Sequence, residues 1–173
     1  MATAHLICGL PCSGKSTCAV DLHNGTHSIL FTLDRWLITM FGRYAIEDVG
    51  HDEHVRRVIA CRELMWDVAR QALALDVDVI FDDGFFWREH RHQAIQRSRD
   101  LGAGATIHFL NPSRAVLEAR IDARNAALPS FNFRIDRSML DLFYAQFQTP
   151  TRDEAADLIT AADGTHGENR YGS

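Results

Sequence analysis

The stretch Gly9-Leu10-Pro11-Cys12-Ser13-Gly14-Lys15-Ser16-Thr17 satisfies a Gly, four residues, Gly-Lys, then Ser or Thr pattern at every fixed position. It follows the apolar run Ala4–Cys8, which reads as a buried strand, and it opens residues 15–23, which read as a helix. Strand, glycine turn and helix in that order give the spacing a chemical use. Such a loop wraps backbone N–H groups around a phosphate, in a nest that small residues permit. The helix N-terminus adds a partial positive charge at the same place. Lys15 supplies a flexible ammonium for β- and γ-phosphates, and the Ser16 hydroxyl suits Mg²⁺. Gly9, Pro11, Cys12, Ser13, Gly14, Lys15, Ser16 and Thr17 are therefore the candidate nucleotide-binding residues.

Composition supports a specific reason for that lysine. Lys and Arg total 18 in 173 residues, yet Lys15 is the only lysine and the other seventeen cations are arginines. The length suits one domain with a sizeable core. A hydrophobic content of 46% and a charged content of 24% are those of a globular chain. No apolar run is long enough to span a bilayer, and the N-terminus has no basic segment, so neither a membrane span nor a signal peptide is expected. A net charge of −5 argues against broad binding to nucleic acid or anionic membranes. Cys8, Cys12, Cys18 and Cys61 form no C-x-x-C pair, and they read as free thiols in a reducing cytoplasm.

Outward from the loop, apolar runs alternate with helical stretches, the pattern of strand–helix units. Ile29–Leu33 is a second strand ending at Asp34. Glu53 to Leu75 is a long helix, with Val55, Val58, Ile59, Met65, Trp66, Ala69, Ala72 and Leu73 at three- and four-residue spacing. Val77–Phe81 is a third strand running into Asp82-Asp83-Gly84. Residues 88–101 form a polar helix closed by Gly102. Ala105–Leu110 is a fourth strand. Asn111 reads as a helix N-cap, with Pro112 at the first helical position and the helix running to about Leu128. Ser130–Asp136 reads as a loop, Ser138–Gln148 as a helix and Ala156–Thr160 as a short edge strand. Residues 1–162 thus form one domain, and 163–173 read as a flexible tail.

The motifs prune the activities open to a phosphate loop. Reading guanine with N-K-x-D needs a second lysine, which the chain lacks. Motor and transporter ATPases place a glutamate after the strand-end aspartate, and here the pair is Asp82-Asp83. The chain resembles the P-loop kinase superfamily that includes adenylate, shikimate and gluconate kinases, chloramphenicol phosphotransferase and polynucleotide kinase. The resemblance covers about residues 4–160. It implies an α/β P-loop NTPase fold, with a parallel five-stranded sheet in the order 2-3-1-4-5 flanked by helices, and a helical lid at about 114–137.

It also implies roles for four further residues. Asp34 would orient the attacking hydroxyl or take its proton; the alternative for it is a helix N-cap. Asp82 or Asp83 would order Mg²⁺, with Asp82 preferred and the other capping a turn. Arg120 and Arg124, spaced i, i+4, would close over the transferring phosphoryl group, and Arg134 and Arg137 follow across the loop. The alternative for these is a solvated face paired with Glu118 and Asp122. The cofactors implied are ATP and Mg²⁺. His51-x-x-His54 and His90-x-His92 read as solvated helix positions.

Trp36, Phe41, Tyr44, Phe85, Phe86 and Trp87 flank Asp34 and Asp82 and are expected to line an acceptor pocket. Arg88 and Arg91 are candidates to bind an acidic group there. The expected acceptor is therefore a small hydroxyl compound. Nucleic acid is disfavoured by the net charge and by Leu37, which stands where polynucleotide kinases carry an arginine. A polynucleotide 5′-hydroxyl kinase and a slow ATP-hydrolysing regulatory module are the competing readings. Lys15→Ala is expected to fold and to lose phosphoryl transfer by several orders of magnitude, measured as acceptor-dependent ADP release. Lys15→Arg should fail too, because a planar fork does not replace a compact ammonium in a tight nest.

Overall fold

β1 (Thr3–Gly9) lies at the centre of the sheet because its side chains are apolar on both faces: Ala4, Leu6, Ile7 and Cys8 are all fully buried. The structure, a computed structural model, describes residues 1–127, 129–154 and 156–161. β1 pairs in parallel with β3 (Asp78–Gly84) on one side and with β4 (Gly104–Leu110) on the other. β2 (Ser28–Thr32) joins β3, and β5 (Asp157–Ala161) joins β4, both in parallel. The order is β2-β3-β1-β4-β5, as the resemblance implies.

The period of two along each strand sorts the core into two layers. Ile7, Ile80 and Leu110 face α1 (Lys15–Gly25), through Cys18, Ala19 and Leu22. Leu6, Cys8, Phe31, Phe81, Ile107 and Phe109 face the opposite layer. There α4 (His51–Ala74) lays down Cys61, Met65 and Ala69, and α5 (Arg88–Asp100) lays down Ala94 and Ile95. Phe31 stacks on Phe81 at 5.2 Å between ring centroids, and Trp66 covers Phe81 at 4.5 Å. A third cluster joins the end of the phosphate loop to α6 (Arg114–Ala127) and α7 (Arg137–Gln146), through Leu10, Leu117, Ile121 and Leu140.

Several boundaries differ from the sequence reading for local reasons. β2 ends at Thr32, and Asp34 lies in the first turn of α2 (Leu33–Phe41), not at the strand end. Only Leu33 and Leu37 of α2 are buried, so a nine-residue helix shows too few repeats to be recognised by period. A four-residue helix, α3 (Ile46–Val49), precedes α4. α6 starts two residues after Pro112. Ser113, not Asn111, accepts from the helical N–H of Val116, while Asn111 N–H donates to Ala161 O and extends the β4–β5 edge. α7 is capped by Asp136, whose carboxylate accepts from Met139 N–H at 2.8 Å. Ala161 belongs to β5, and the tail expected at 163–173 lies outside the described residues. No helix among the described residues is long and apolar enough to cross a membrane.

One buried ion pair ties the exit of β3 to the segment before β5. Arg91 Nε and Nη2 donate to Glu154 at 2.6 and 2.7 Å, and Nη1 donates to Phe85 O at 2.9 Å. Their side chains are 0% and 3% exposed. Arg88 is paired with Asp153 and donates to Thr151. Arg91 is therefore closed to an acceptor, which corrects the expectation for it, whereas Arg88 stays half-exposed in its pair with Asp153. Arg91→Ala should strand the Glu154 carboxylate in the interior and cost about 3–5 kcal/mol of stability. Arg91→Leu combined with Glu154→Leu should recover most of that loss. Urea unfolding of the two variants checks the difference.

Candidate active site

The carboxyl ends of β1, β3 and β2 converge on one crevice, the usual ligand position in an open parallel sheet. Gly9 opens it. At φ 151° it is in glycine territory, and a Cβ there would lie 2.6 Å from Leu110 O and 2.7 Å from Ser13 Oγ. The chain turns through Cys12 at φ 62°, and Ser13 N–H closes the turn on Leu10 O at 3.2 Å. Gly14, left-handed at φ 100°, starts α1 with no side-chain cap. The first intrahelical donor is Cys18 N–H, to Gly14 O. The N–H groups of Lys15, Ser16 and Thr17 therefore remain for an anion. Ser13 Oγ is buried with no partner in the same loop. Pro11 and Cys12 are half-buried, and the Thr17 side chain is exposed.

Lys15 Nζ folds back to donate to Leu10 O at 2.8 Å. Burial lowers its pKa, and the charges of Asp82 and Asp34 oppose that fall. Asp82 is buried and accepts the Ser16 hydroxyl at 2.7 Å. Burial raises its pKa, while Lys15 and the Ser16 hydrogen bond hold it down. A hydroxyl and a carboxylate in contact at the end of the phosphate loop form a hard-oxygen pair of the kind Mg²⁺ takes together with phosphate oxygens. The donor set thus fits the group that the motif implies. Asp34 is half-buried beside them. Burial and the Asp82 charge push its pKa up to about 6, against Lys15 and Arg124.

Asp83 has a different task from either role expected of it. It neither faces Ser16 nor caps a turn, and instead grips Arg62 of α4 through two hydrogen bonds of 2.6 and 2.7 Å. His90 Nε2 approaches the same carboxylate at 3.5 Å, with its ring stacked on Phe85. The sequence reading missed Arg62. Its signal was a cation inside the apolar stripe of α4, between Cys61 and Met65.

Arg120 and Arg124 do share a face of α6, and it is turned to the loop. Arg120 Nη1 reaches Cys12 O at 3.5 Å. Arg124 donates to Phe133 O at 3.0 Å, and its Nε is buried without a partner. The carboxylates that would have made this a solvated ionic face are taken elsewhere, Glu118 by Arg114 and Asp122 by Arg137. Arg134 is exposed. The segment after α6 lies against α2 and the turn that follows it. Arg43 donates to Pro129 O and Ser130 O, both at 2.8 Å, Tyr44 packs edge-on to Phe133, and Arg35 lies over the Phe131 ring.

Of the six aromatic residues expected around the acceptor, the structure places two on this side. Phe41 and Tyr44 sandwich the Arg57 guanidinium at 4.8 and 4.7 Å, and Tyr44 OH meets His54 Nδ1 at 3.0 Å. Phe85 is core, and Phe86 packs on Phe143 and Phe147. Trp36 packs on Phe31 and lines a separate groove of about 500 Å³ with His23 and Arg35. Trp87 is exposed. All four cysteines are free thiols, and burial raises the pKa of each, that of Cys8 to about 12.

Comparison with known proteins places this geometry in a wider set. A family model described as an AAA domain matches residues 5–150. Comparison with curated proteins gives no match. Among solved structures, a presumed kinase from Chloroflexus aurantiacus superposes with a TM-score of 0.74 at 17% identity, covering 94% of this chain and 86% of that one. Kti12 from Chaetomium thermophilum, in complex with ADP-AlF3, has a TM-score of 0.67 at 15% identity, with coverage of 92% and 88%. A gluconokinase from Sinorhizobium meliloti has a TM-score of 0.61 at 14% identity, with coverage of 94% and 83%. At these identities the likeness is one of fold, that of the P-loop kinases.

The crevice stores free energy that can be read from pH. Asp34 holds its proton more tightly folded, with a pKa of about 6, than in an unfolded chain, where a carboxyl of this kind has its ordinary value of 3.8. Its contribution is therefore favourable at low pH and is lost as pH rises through about 6. Asp34→Asn should stabilise the nucleotide-free protein by about 1–3 kcal/mol at pH 8 and by much less at pH 4. Thermal unfolding of both proteins across that range is the measurement.

Proposed function

The chain belongs to the AAA domain family, matched over residues 5–150, and on that premise we propose that it is an ATP-dependent phosphotransferase acting on a hydroxyl group of a small molecule. The observation that carries this reading is Asp34. A carboxylate with a pKa of about 6 stands beside the phosphate-loop lysine and the buried edge of Arg124. A carboxylate there can take the proton of a bound hydroxyl, and stimulation of ADP release by an acceptor is what separates this reading from a slow hydrolase. The ADP-AlF3 complex of Kti12 and the AMPPNP complex of an APS kinase from Mycobacterium tuberculosis support an adenine nucleotide as the donor.

The chemistry follows from the residues. The N–H groups of Lys15, Ser16 and Thr17 receive the phosphates, and Lys15 exchanges Leu10 O for phosphate oxygens. Ser16 and Asp82 would hold Mg²⁺, which when bound offsets charge on the β- and γ-phosphates. Asp34 orients the acceptor hydroxyl and takes its proton as the oxygen bonds to the γ-phosphorus. The bond from that phosphorus to the bridging oxygen breaks in line, and ADP leaves. Arg124, and Arg120 beside it, offset the charge that develops on the transferring group. α6 and the segment to about residue 137 act as the lid, docked on the turn after α2 through Arg43 and Tyr44.

Only ionised Asp34 can take a proton, so turnover should rise with pH through about 6 and then level off. Asp34→Asn should lower kcat by about 100-fold or more and change ATP affinity little. Asp82→Asn should weaken nucleotide binding as well as turnover. Acceptor-dependent ADP release, set beside ATP affinity by calorimetry, tests both. ATP hydrolysis that no hydroxyl compound stimulates would overturn the assignment in favour of a regulatory module, and efficient labelling of 5′-hydroxyl oligonucleotides would favour a polynucleotide kinase.

A further inference from the structure

Two strands end the sheet, β2 on one side and β5 on the other. Their edges are unlike. β5 opens on the exposed carboxylate of Asp157, a charge of the kind that blunts a sheet edge. β2, Ser28-Ile29-Leu30-Phe31-Thr32, has no charge and no proline, and its register with β3 runs without a bulge. Ile29 is 37% exposed.

Register fixes which backbone groups of β2 point outward. Asp78 N–H donates to His27 O at 3.2 Å. In a parallel ladder, alternate residues turn both backbone groups to the same neighbour. His27, Ile29 and Phe31 therefore turn theirs to β3, and Ser28, Leu30 and Thr32 turn theirs away. Thr32 C=O enters the first turn of α2, for which Thr32 is the N-cap. The N–H groups of Leu30 and Thr32 and the C=O groups of Ser28 and Leu30 have no hydrogen-bond partner among the described residues. A groove of about 500 Å³ runs along this edge. His23 of α1 borders it on the face where it meets Ser28 Oγ, and Trp36 of α2 on the face where it packs on Phe31.

These groups are complementary to themselves. Antiparallel pairing about a two-fold axis through Leu30 sets Leu30 opposite Leu30 and Thr32 opposite Ser28. Leu30 N–H then donates to Leu30 O, and Thr32 N–H to Ser28 O, from each copy to the other. Ile29 falls opposite Phe31 of the second copy, on the face where Trp36 packs, and its exposed side chain is covered. Each copy has a net charge of −5, yet β2 brings no charge to the contact, and Arg35 beside the groove lies over the Phe131 ring. A five-residue strand is short against the roughly 20–30 residues a side of a standard interface, so the pairing is weak, with a Kd on the order of 10⁻⁵ M.

We propose that β2 is the contact surface of a weak symmetric dimer, in which two copies of this chain join their sheets edge to edge through Leu30.

Sedimentation velocity should show chiefly monomer at about 1 µM and chiefly dimer at about 200 µM. Residue-resolved amide exchange locates the contact. The N–H groups of Leu30 and Thr32 should exchange about fivefold more slowly at the higher concentration, a larger change than at Ile29 and Phe31, which already face β3. Ile29→Lys sets an ammonium against the second copy's Phe31. It should stay monomeric at about 200 µM and keep the melting temperature that the parent shows at about 1 µM. Leu30→Pro removes the central donor without taking a bond from the β3 ladder, and should also be monomeric, with folding read from circular dichroism. A parent chain that stays monomeric at about 200 µM would overturn the inference. So would a dimer that Ile29→Lys leaves intact, or Leu30 and Thr32 N–H groups equally protected at both concentrations, the sign of an edge already covered.

Discussion

The burial of one ammonium ion organises this molecule. Lys15 sits half-buried where three strand ends and a helix N-terminus meet, and desolvation there lowers its pKa. The charges of Asp82 and Asp34 oppose that, and burial together with the Asp82 charge raises the pKa of Asp34 in turn. The arrangement leaves several donors open to an anion. The loop N–H groups have no cap, Ser13 Oγ and Arg124 Nε have no partner, and Lys15 makes do with a backbone carbonyl. Buried polar groups in this condition are unfavourable, and they cluster where a ligand is to satisfy them.

The rest of the fold holds those groups in place. β1 has no freedom to shift, because its side chains fill both layers of the core and Gly9 touches the backbone of β4. The Arg91–Glu154 pair and its bond to Phe85 O anchor the turn that follows Asp82 and Asp83. On the opposite side, Arg43 and Tyr44 attach the segment after α6 to the turn after α2. The helix that carries Asp34 and the helix that carries Arg124 are therefore mechanically linked.

The chain shows how far arginines can diverge in role while alike in sequence. Arg88 and Arg91 stand beside the crevice in the sequence and are committed to Asp153 and Glu154 in the fold. Arg114 and Arg137 take Glu118 and Asp122, the two carboxylates of the same helix. That leaves the inner pair on the loop and the buried segment. Ion pairing on the outer face of α6 thus goes with Arg120 and Arg124 being turned to the phosphate loop.

The sequence by itself determined the phosphate loop, the five strands, the long α4 and the identity of Asp34, Asp82, Arg120 and Arg124 as candidates. These were legible because their signals are local: a fixed spacing of small residues, a period of two or of 3.6, and a carboxylate at or near a strand end. Helix α2 was not legible, since nine residues with two buried leucines carry too little period. The choice between Asp82 and Asp83 belonged to tertiary structure, as did the core position of Phe85 and the direction of Arg62. Adjacent residues of a strand point to opposite sides, so neighbours as alike as Asp82 and Asp83 receive their partners from different elements: Ser16 of α1, 66 positions away, and Arg62 of α4, 21 positions away. Contacts that close over such separations depend on strand register and helix rotation, which no local pattern of residues records.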